Sequence, residues 1–442
     1  MYSSRWNVTL GATICHAFFI GLVYILPSVI LSSVREDLHL SVSLVVLPLN
    51  VYKMTNLLFL PFAGLLLDRC GCRRCILIGL FLTCILSFCY IWITNVYQLV
   101  CINIGYALCN ALCGTAAFVV LVSSWFREGL GTALGLVLSG FSLAGVLFPV
   151  GLGTLLELFG WRSTVFFSFL FFTLVIVPLA WMTLHQGTLV SPVHEDSSFS
   201  LGHYSTSSVV PALDFKTLLL SRSFWLLGFE YFSLAYAQSF PFDYLVTYLH
   251  EDVSFTYEKA TIFLSILNAC AVVSKLLGGV IGDYSNRFKT LVASSFLMLM
   301  GVFCLFQRQS IANDETMFWT MTTRIGQLTA FSILFGLGSG SLWNNLYALV
   351  PFCIGTGHLG FSQNSLSALH YLGSAIGSMM GGIVKTQTGS FTIDIIGIAA
   401  VCFFNLLVAL YLTWQQQMSL SSSLQVEYSI PNEETFHDNE ME

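Results

Sequence analysis

Apolar residues run through this chain in stretches of about 20, the length that crosses a bilayer as a helix, and each stretch ends at a charged or polar break. The breaks fall near Arg35, Arg69, Asn95, Arg127, Gly160, His185, His250, Asp283, Arg308, Pro351 and Gly389. They delimit twelve predicted helices, at about 8–33, 42–67, 75–94, 98–124, 130–156, 162–184, 224–249, 258–282, 289–307, 323–350, 357–385 and 391–414. The first run, Val8 to Val34, exceeds the roughly 7–15 residues of a signal-peptide core and lacks a cleavage site, so it reads as a retained helix. A polar stretch rich in Ser, His and Pro interrupts the pattern at 185–223. The expected organisation is an N-terminal six-helix half (1–184), a cytoplasmic linker loop (185–223), a C-terminal six-helix half (224–416) and a Ser-rich, then acidic, disordered tail (417–442).

The two halves carry internal repeats. Gly64-Leu-Leu-Leu-Asp68-Arg69-Cys70-Gly71-Cys72-Arg73-Arg74 closes the second apolar run, and Gly279-Val-Ile-Gly-Asp283-Tyr-Ser-Asn-Arg287-Phe-Lys289 closes the eighth. Glu36-Asp37 precedes the first and Glu251-Asp252 the second, with the same 32 residues from Glu36 to Asp68 and from Glu251 to Asp283. Gly131 to Gly160 and Gly360 to Gly389 also match, at 29 residues each. Parallel halves of this kind characterise one class of secondary transporter.

Composition excludes a soluble domain: 56% of residues are hydrophobic and only 9% charged, against about 25% charged in soluble chains. The net charge of −6 says little about partners, because much of the acid lies in the tail. Most of the 13 cysteines sit inside apolar runs as small hydrophobes. Cys70, Cys72 and Cys75 lack the His or fourth Cys of a closed zinc site, so no metal is expected. With the N-terminus inside, nine basic residues fall on the cytoplasmic side and six outside, the dense cluster being inside. Both termini are then cytoplasmic.

Ionisable groups within the membrane are costly and mark functional positions. Lys275 is the leading candidate, a cation eight residues inside the eighth helix from Asp283. Glu230 and Asp243 lie in the seventh run, Lys53 in the second, His16 in the first and His370 in the eleventh. Lys53, Asp243 and His16 are candidates for coupling. Trp343-Asn344-Asn345 places amides in the tenth. For each, a structural ion pair, snorkelling or a hydrogen-bonded core role is the competing reading. Small residues allow close helix approach; Gly373, Gly377 and Gly381 are expected to serve packing and also the contact between halves. Asp68, at a helix end, is expected to face the positive N-terminus of another helix near Gly357, or to pair with Arg127 or a neighbouring arginine, as part of a gate.

The Gly64–Arg74 pattern resembles the signature of the major facilitator superfamily, intact in the first half and altered at Tyr284 and Asn286 in the second. Ser124-Trp125-Phe126-Arg127-Glu128-Gly129-Leu130-Gly131-Thr132-Ala133-Leu134-Gly135 resembles a stretch of monocarboxylate transporters and oxalate–formate antiporters, as do Phe159-Gly160-Trp161-Arg162 and Phe19 to Pro27. The resemblance implies an all-α fold of twelve transmembrane helices, an anionic substrate, and gating roles for Gly64, Asp68, Arg69, Gly71, Arg73, Arg74, Arg127, Asp283 and Arg287. Departures are specific. Classical proton-linked members have a lysine after the first-helix proline, where this chain has Ser28, and an Asp–Arg pair where it has Ala271 and Lys275.

The expected function is secondary active transport of a small organic anion by alternating access. Lys275 would meet the carboxylate, with Glu230, Tyr24, Tyr231, Asn268, Asn344 and His370 around it. An amino acid or other zwitterion carrier, and a non-transporting receptor on the same fold, are the alternatives. No nucleotide loop or nucleophile–base pattern supports an enzyme. Expected partners are the substrate and the lipid bilayer, with an accessory membrane protein left open; no cofactor or nucleic acid is expected. The plasma membrane is the default location and an organellar membrane the alternative.

Overall fold

Prolines inside apolar helices leave a carbonyl without its donor and crowd the preceding turn. In the computed structural model, which describes residues 2–40, 42–126, 128–187, 215–306 and 314–428, three of them sit in or just after a widened π-helical turn. Helix α1 (Tyr2–Ile20) passes through such a turn at Gly21–Ile25 before Leu26–Val29, which holds Pro27. The seventh helix, α7, runs Arg222–Ser239, widens at Phe240–Tyr244 around Pro241, and continues as Leu245–Glu251. These are the first helices of the two halves, each with a π turn in its latter part, and the π turns carry Tyr24 and Asp243.

The remaining segments are α2 (Val42–Cys70), α3 (Cys72–Tyr90) and α4 (Val96–Cys113, resuming after Gly114 as Thr115–Ser123). Helices α5 and α6 are the two arms of Leu130–Phe171, divided at Gly160 (φ 73°, ψ 170°), with α6 reaching Thr183 through the third π turn, Phe172–Ile176, before Pro178. In the second half follow α8 (Tyr257–Tyr284), α9 (Arg287–Phe303), α10 (Asp314–Cys353), α11 (Leu359–Thr388) and α12 (Thr392–Tyr428). One predicted break, Asn95, is a helix cap, and Ser221 and Asn286 cap two further helices. Asn95, Ser221 and Asn286 accept hydrogen bonds from the backbone N–H of Gln98, Phe224 and Phe288 at 3.0, 3.1 and 2.9 Å.

Seven helical segments among the described residues are long and apolar enough to cross a membrane. One of them, Leu130–Thr183, spans 54 residues, or about 80 Å of helix, and its bend at Gly160 makes it two crossings. The polar linker holds a short helix, Phe215–Leu220, and α12 runs on to Tyr428 past the expected start of the tail at 417. Residues 188–214 and 429–442 lie outside the described residues.

Packing follows one scheme in both halves. Helix α2 packs on α4, α3 on α4 and α1 on α5; correspondingly α8 packs on α10, α9 on α10 and α7 on α11. The halves meet where α2 crosses α11 and α8 crosses α5. The repeated residues occupy equivalent places. Gly160 and Gly389 both adopt positive φ, at 73° and 71°. Asp37 pairs with Arg162 at 2.8 Å, just after Gly160. Glu251 pairs with Lys385 at 3.1 Å, and Asp252 pairs with Lys385 and accepts from the Phe391 N–H, on either side of Gly389.

Glycine sets how closely the halves approach. A Cβ on Gly64 would stand 2.6 Å from both Gly360 O and Phe361 Cα. On Gly279 it would overlap the carbonyl oxygen of Gly131. Both obstacles are backbone and cannot rotate away. Gly279→Ala should therefore force α8 from α5 and cut turnover about tenfold or more at normal protein level, as backbone clashes of this kind cost 1–3 kcal/mol. A Gly279→Ala protein with wild-type uptake per molecule would rule out the close crossing. The Gly373–Gly377–Gly381 row behaves differently from expectation. It faces Phe232, Tyr236, Ser239 and Tyr244 of α7, within one half, so it serves packing and not the contact between halves.

Candidate functional site

Between the halves lies a cavity lined by α1, α2, α4 and α5 on one side and α7, α8, α10 and α11 on the other. The cavity has a volume of about 160 Å³, many times the ~10–15 Å³ that one water needs. Its wall mixes aromatic side chains with small and polar ones. Tyr24, Tyr52 and Tyr371 follow one another at ring separations of 6.5 and 6.4 Å, and His370 packs edge-on against Trp343 at 4.4 Å. Asn110 joins the halves by donating to Tyr371 Oη (3.0 Å) and to Asn56 Oδ1 (2.6 Å).

Lys275 projects into this cavity from α8 and is 6% exposed. Its ammonium donates to Ser142 Oγ on α5 at 2.7 Å and lies 5.4 Å from the Phe141 ring centre, so its partners belong to the opposite half. Among the described residues no carboxylate lies within 4 Å of it. A buried ammonium held by one hydroxyl and a ring face retains unused donor capacity, since it has three N–H groups. The second cation, Lys53 of α2, is compensated. It lies 3.7 Å from Asp243 Oδ2 of α7 and donates to Ser378 Oγ of α11 at 3.2 Å, while Ser378 also bonds Asp243.

At the signature ends of the helices the halves are clasped twice. Asp68 accepts from the backbone N–H of Gly360 (2.7 Å) and Phe361 (2.9 Å), at the start of α11. Asp283 accepts from Gly131 N (2.9 Å), Thr132 N (2.7 Å) and Thr132 Oγ1 (2.6 Å), at the start of α5. Helix N-termini offer unpaired N–H groups and a positive dipole end, which carboxylates satisfy. Arg287 pairs with Asp283 one turn away. Asp68 has no arginine within 4 Å among the described residues, and Arg127 lies outside them. Arg73 instead donates to Trp181 O at 3.2 Å, while Arg69 and Arg74 are exposed. Gly71 provides the turn, with φ 87°, between α2 and α3.

The sequence model of the Major Facilitator Superfamily matches residues 12–322. The chain belongs to this superfamily. Among its relatives, the MFS-type transporter opdF of Penicillium oxalicum is 26% identical over 77% of this chain and 76% of its own length. Monocarboxylate transporter 12 of Xenopus laevis is 23% identical over 66% and 62%. The solved structure of the human organic anion transporter MFSD10 superposes with a TM-score of 0.68 at 14% identity, covering 92% of this chain and 98% of that one. The E. coli fucose:proton symporter FucP gives 0.64 at 15%, covering 91% and 98%. The fold of this superfamily member is therefore all-α, twelve helices in two halves. It is a transporter and not an enzyme.

Of the residues expected at the transporter's site, Lys275, Tyr24, Asn268, His370, Lys53 and Asp243 line the cavity. Four others are placed elsewhere. Glu230 is wholly buried between α7 and α12, where Asn405 Nδ2 donates to its carboxylate and also to Ser233 Oγ. Tyr231 Oη donates to Gln363 Oε1 at 3.3 Å, and its carbonyl accepts from His370 Nδ1 at 3.3 Å. Asn344 Nδ2 donates to the carbonyls of Gly131 (3.2 Å) and Lys275 (2.9 Å), stitching α10 to the α5–α8 crossing. His16 is wholly buried: Nδ1 faces Val137 O at 3.1 Å as donor, which leaves Nε2 to accept from Thr115 Oγ1 at 3.0 Å. In each case the helix rotation turns the side chain toward a neighbouring helix. Sequence reasoning missed Tyr52, Asn110, Ser142, Tyr371 and Ser378. A tyrosine or amide inside an apolar run, as at Tyr52, Asn110 and Tyr371, was the only signal available.

Proposed function

We propose that this transporter carries a small organic anion of the monocarboxylate type by alternating access, across the plasma membrane, with both termini cytoplasmic. The observation that carries the reading is Lys275, a buried cavity cation whose only hydrogen-bond partner among the described residues is a serine of the opposite half. An anion bound there would supply the missing countercharge and touch both halves at once, linking occupancy to their relative motion. The aromatic side chains of the wall suit an organic body beside the charged head. Among relatives and structural neighbours, one is named a monocarboxylate transporter and one an organic anion transporter. The cytoplasmic placement of the signature ends rests on their arginines. Lys275 is the anion anchor in this reading, with Tyr24, Asn268 and His370 around it.

The test is uptake into proteoliposomes containing the purified chain, with a panel of monocarboxylates, amino acids and neutral solutes, with and without an imposed pH gradient. Saturable uptake of at least one monocarboxylate, competed by others and not by neutral analogues, is the expected result. Uptake confined to amino acids or sugars would overturn the anion reading. A chain that binds but moves none of the panel would point to a receptor.

A further inference from the structure

Among the described residues, three charged side chains line the cavity: Lys53, Asp243 and Lys275. We infer that the Lys53–Asp243 pair is a charge filter, restricting the substrate to one negative charge by occupying the cavity's second cation. This rests on the anion reading above and adds which residue sets the charge.

Asp243 holds Lys53 at 3.7 Å, and Ser378 Oγ bonds both partners, so α2, α7 and α11 converge on one pair. The pair faces the cavity with side chains 16% and 33% exposed. With Lys53 compensated, the cavity presents a surplus of one positive charge, on Lys275. A monocarboxylate balances it. A dicarboxylate would leave one anion uncompensated beside Asp243, and like charges placed together are a strong means of rejecting the wrong ligand.

The depths of the two cations give the filter a length scale. Lys275 lies eight residues from Asp283 on α8, and Lys53 fifteen from Asp68 on α2. The two aspartates occupy equivalent places at the signature end, so the lysines differ by seven residues along the cavity. At 1.5 Å per residue this is about 10 Å. The two ammonium groups thus sit at different depths, and the dicarboxylate chain length that engages both would report their separation once Lys53 is freed.

The charge arithmetic makes the test specific. Asp243→Asn keeps a hydrogen-bonding side chain beside Ser378 and releases Lys53, giving two uncompensated cations. Lys53→Gln leaves Asp243 opposed to Lys275, with no surplus. Lys53→Gln/Asp243→Asn restores the surplus of one. Uptake of a monocarboxylate carried by the wild type should be compared with uptake of dicarboxylates of increasing chain length. Surface or liposome abundance is measured on each protein, and thermal shift of the detergent-solubilised protein by each acid reads binding independently of turnover.

Asp243→Asn should raise the dicarboxylate-to-monocarboxylate ratio by roughly tenfold or more, the order expected when a like charge is removed from a binding site. The double variant should return the ratio to the wild-type value, and Lys53→Gln should weaken binding of both acids. An unchanged ratio in Asp243→Asn, in uptake and thermal shift alike, would overturn the filter while leaving the anion reading intact. Equal loss in all three variants regardless of substrate charge would also overturn it, marking the pair as a structural tie. Failure of the wild type to take any anion would remove the parent reading, and the filter with it.

Discussion

Lys275→Gln should abolish anion uptake while leaving protein abundance near wild type. Glutamine can still donate to Ser142, so the cross-half hydrogen bond survives and what is lost is the charge. Removing one member of a buried, hydrogen-bonded charge pair costs about 2–5 kcal/mol, or roughly thirtyfold to several thousandfold in affinity. Lys275→Arg should retain some uptake, since charge persists, although the planar guanidinium cannot reproduce an ammonium's geometry beside Ser142 and Phe141. A structural role predicts misfolding, rescued by neutralising an acidic partner. No carboxylate lies within 4 Å of the ammonium among the described residues, and Glu230 is committed to Asn405. Neutralising Glu230 should therefore not alter the abundance of Lys275→Gln. Uptake and surface abundance measured on the same cells decide it: normal values of both in Lys275→Gln would remove this residue from the mechanism.

The features legible in the sequence were those repeated along it. Apolar runs of spanning length gave the helices, and two equal spacings gave the halves, whose glycines at 160 and 389 both adopt positive φ. The direction a side chain faces was not legible. A membrane helix is apolar toward lipid and toward its neighbours alike, so the periodicity that marks the buried face of a soluble helix is weak. Glu230 and Asp243 stand thirteen residues apart on α7, yet one turns to α12 and the other to the cavity. Lys53 could be read as a candidate, but its compensation by a residue 190 positions away could not. Ser142 and Ser378, the hydroxyls that hold the two lysines, were invisible because serine is common in apolar helices. The number of bonds each signature copy makes was not legible for the same reason. Asp68 sits in the intact motif and Asp283 in the altered one, yet Asp283 makes the larger set of bonds. Its donors are backbone N–H groups and Thr132 at the start of α5, which no residue pattern around Asp283 announces.

That inversion yields the second large effect. Asp283→Asn should slow transport more than Asp68→Asn does, although Asp68 belongs to the better-preserved motif. The Asp283 side chain is 10% exposed and bonds two backbone N–H groups, the Thr132 hydroxyl and Arg287. Hydrogen bonds to a charged group contribute about 1.5–3 kcal/mol each when protected from water. Asparagine has one acceptor oxygen where the carboxylate has two, and its amide group would oppose one N–H. Asp68 bonds two N–H groups from a more exposed position, where the helix-dipole contribution is about 0.3–1 kcal/mol. Both clasps close the signature ends, so weakening either shifts the protein toward opening there. A loss of about 3 kcal/mol changes that equilibrium more than a hundredfold, since each 1.4 kcal/mol is tenfold. Turnover requires the closed state to reform in every cycle, so maximal rate should fall in both variants with little change in half-saturation. Spin labels at Arg74→Cys and Tyr284→Cys in a cysteine-depleted background, both exposed positions at the signature ends, should show a longer mean separation in Asp283→Asn than in Asp68→Asn. Unchanged turnover in both variants would remove the clasps from the transport cycle. A larger defect in Asp68→Asn would show that motif preservation outweighs the number of bonds made.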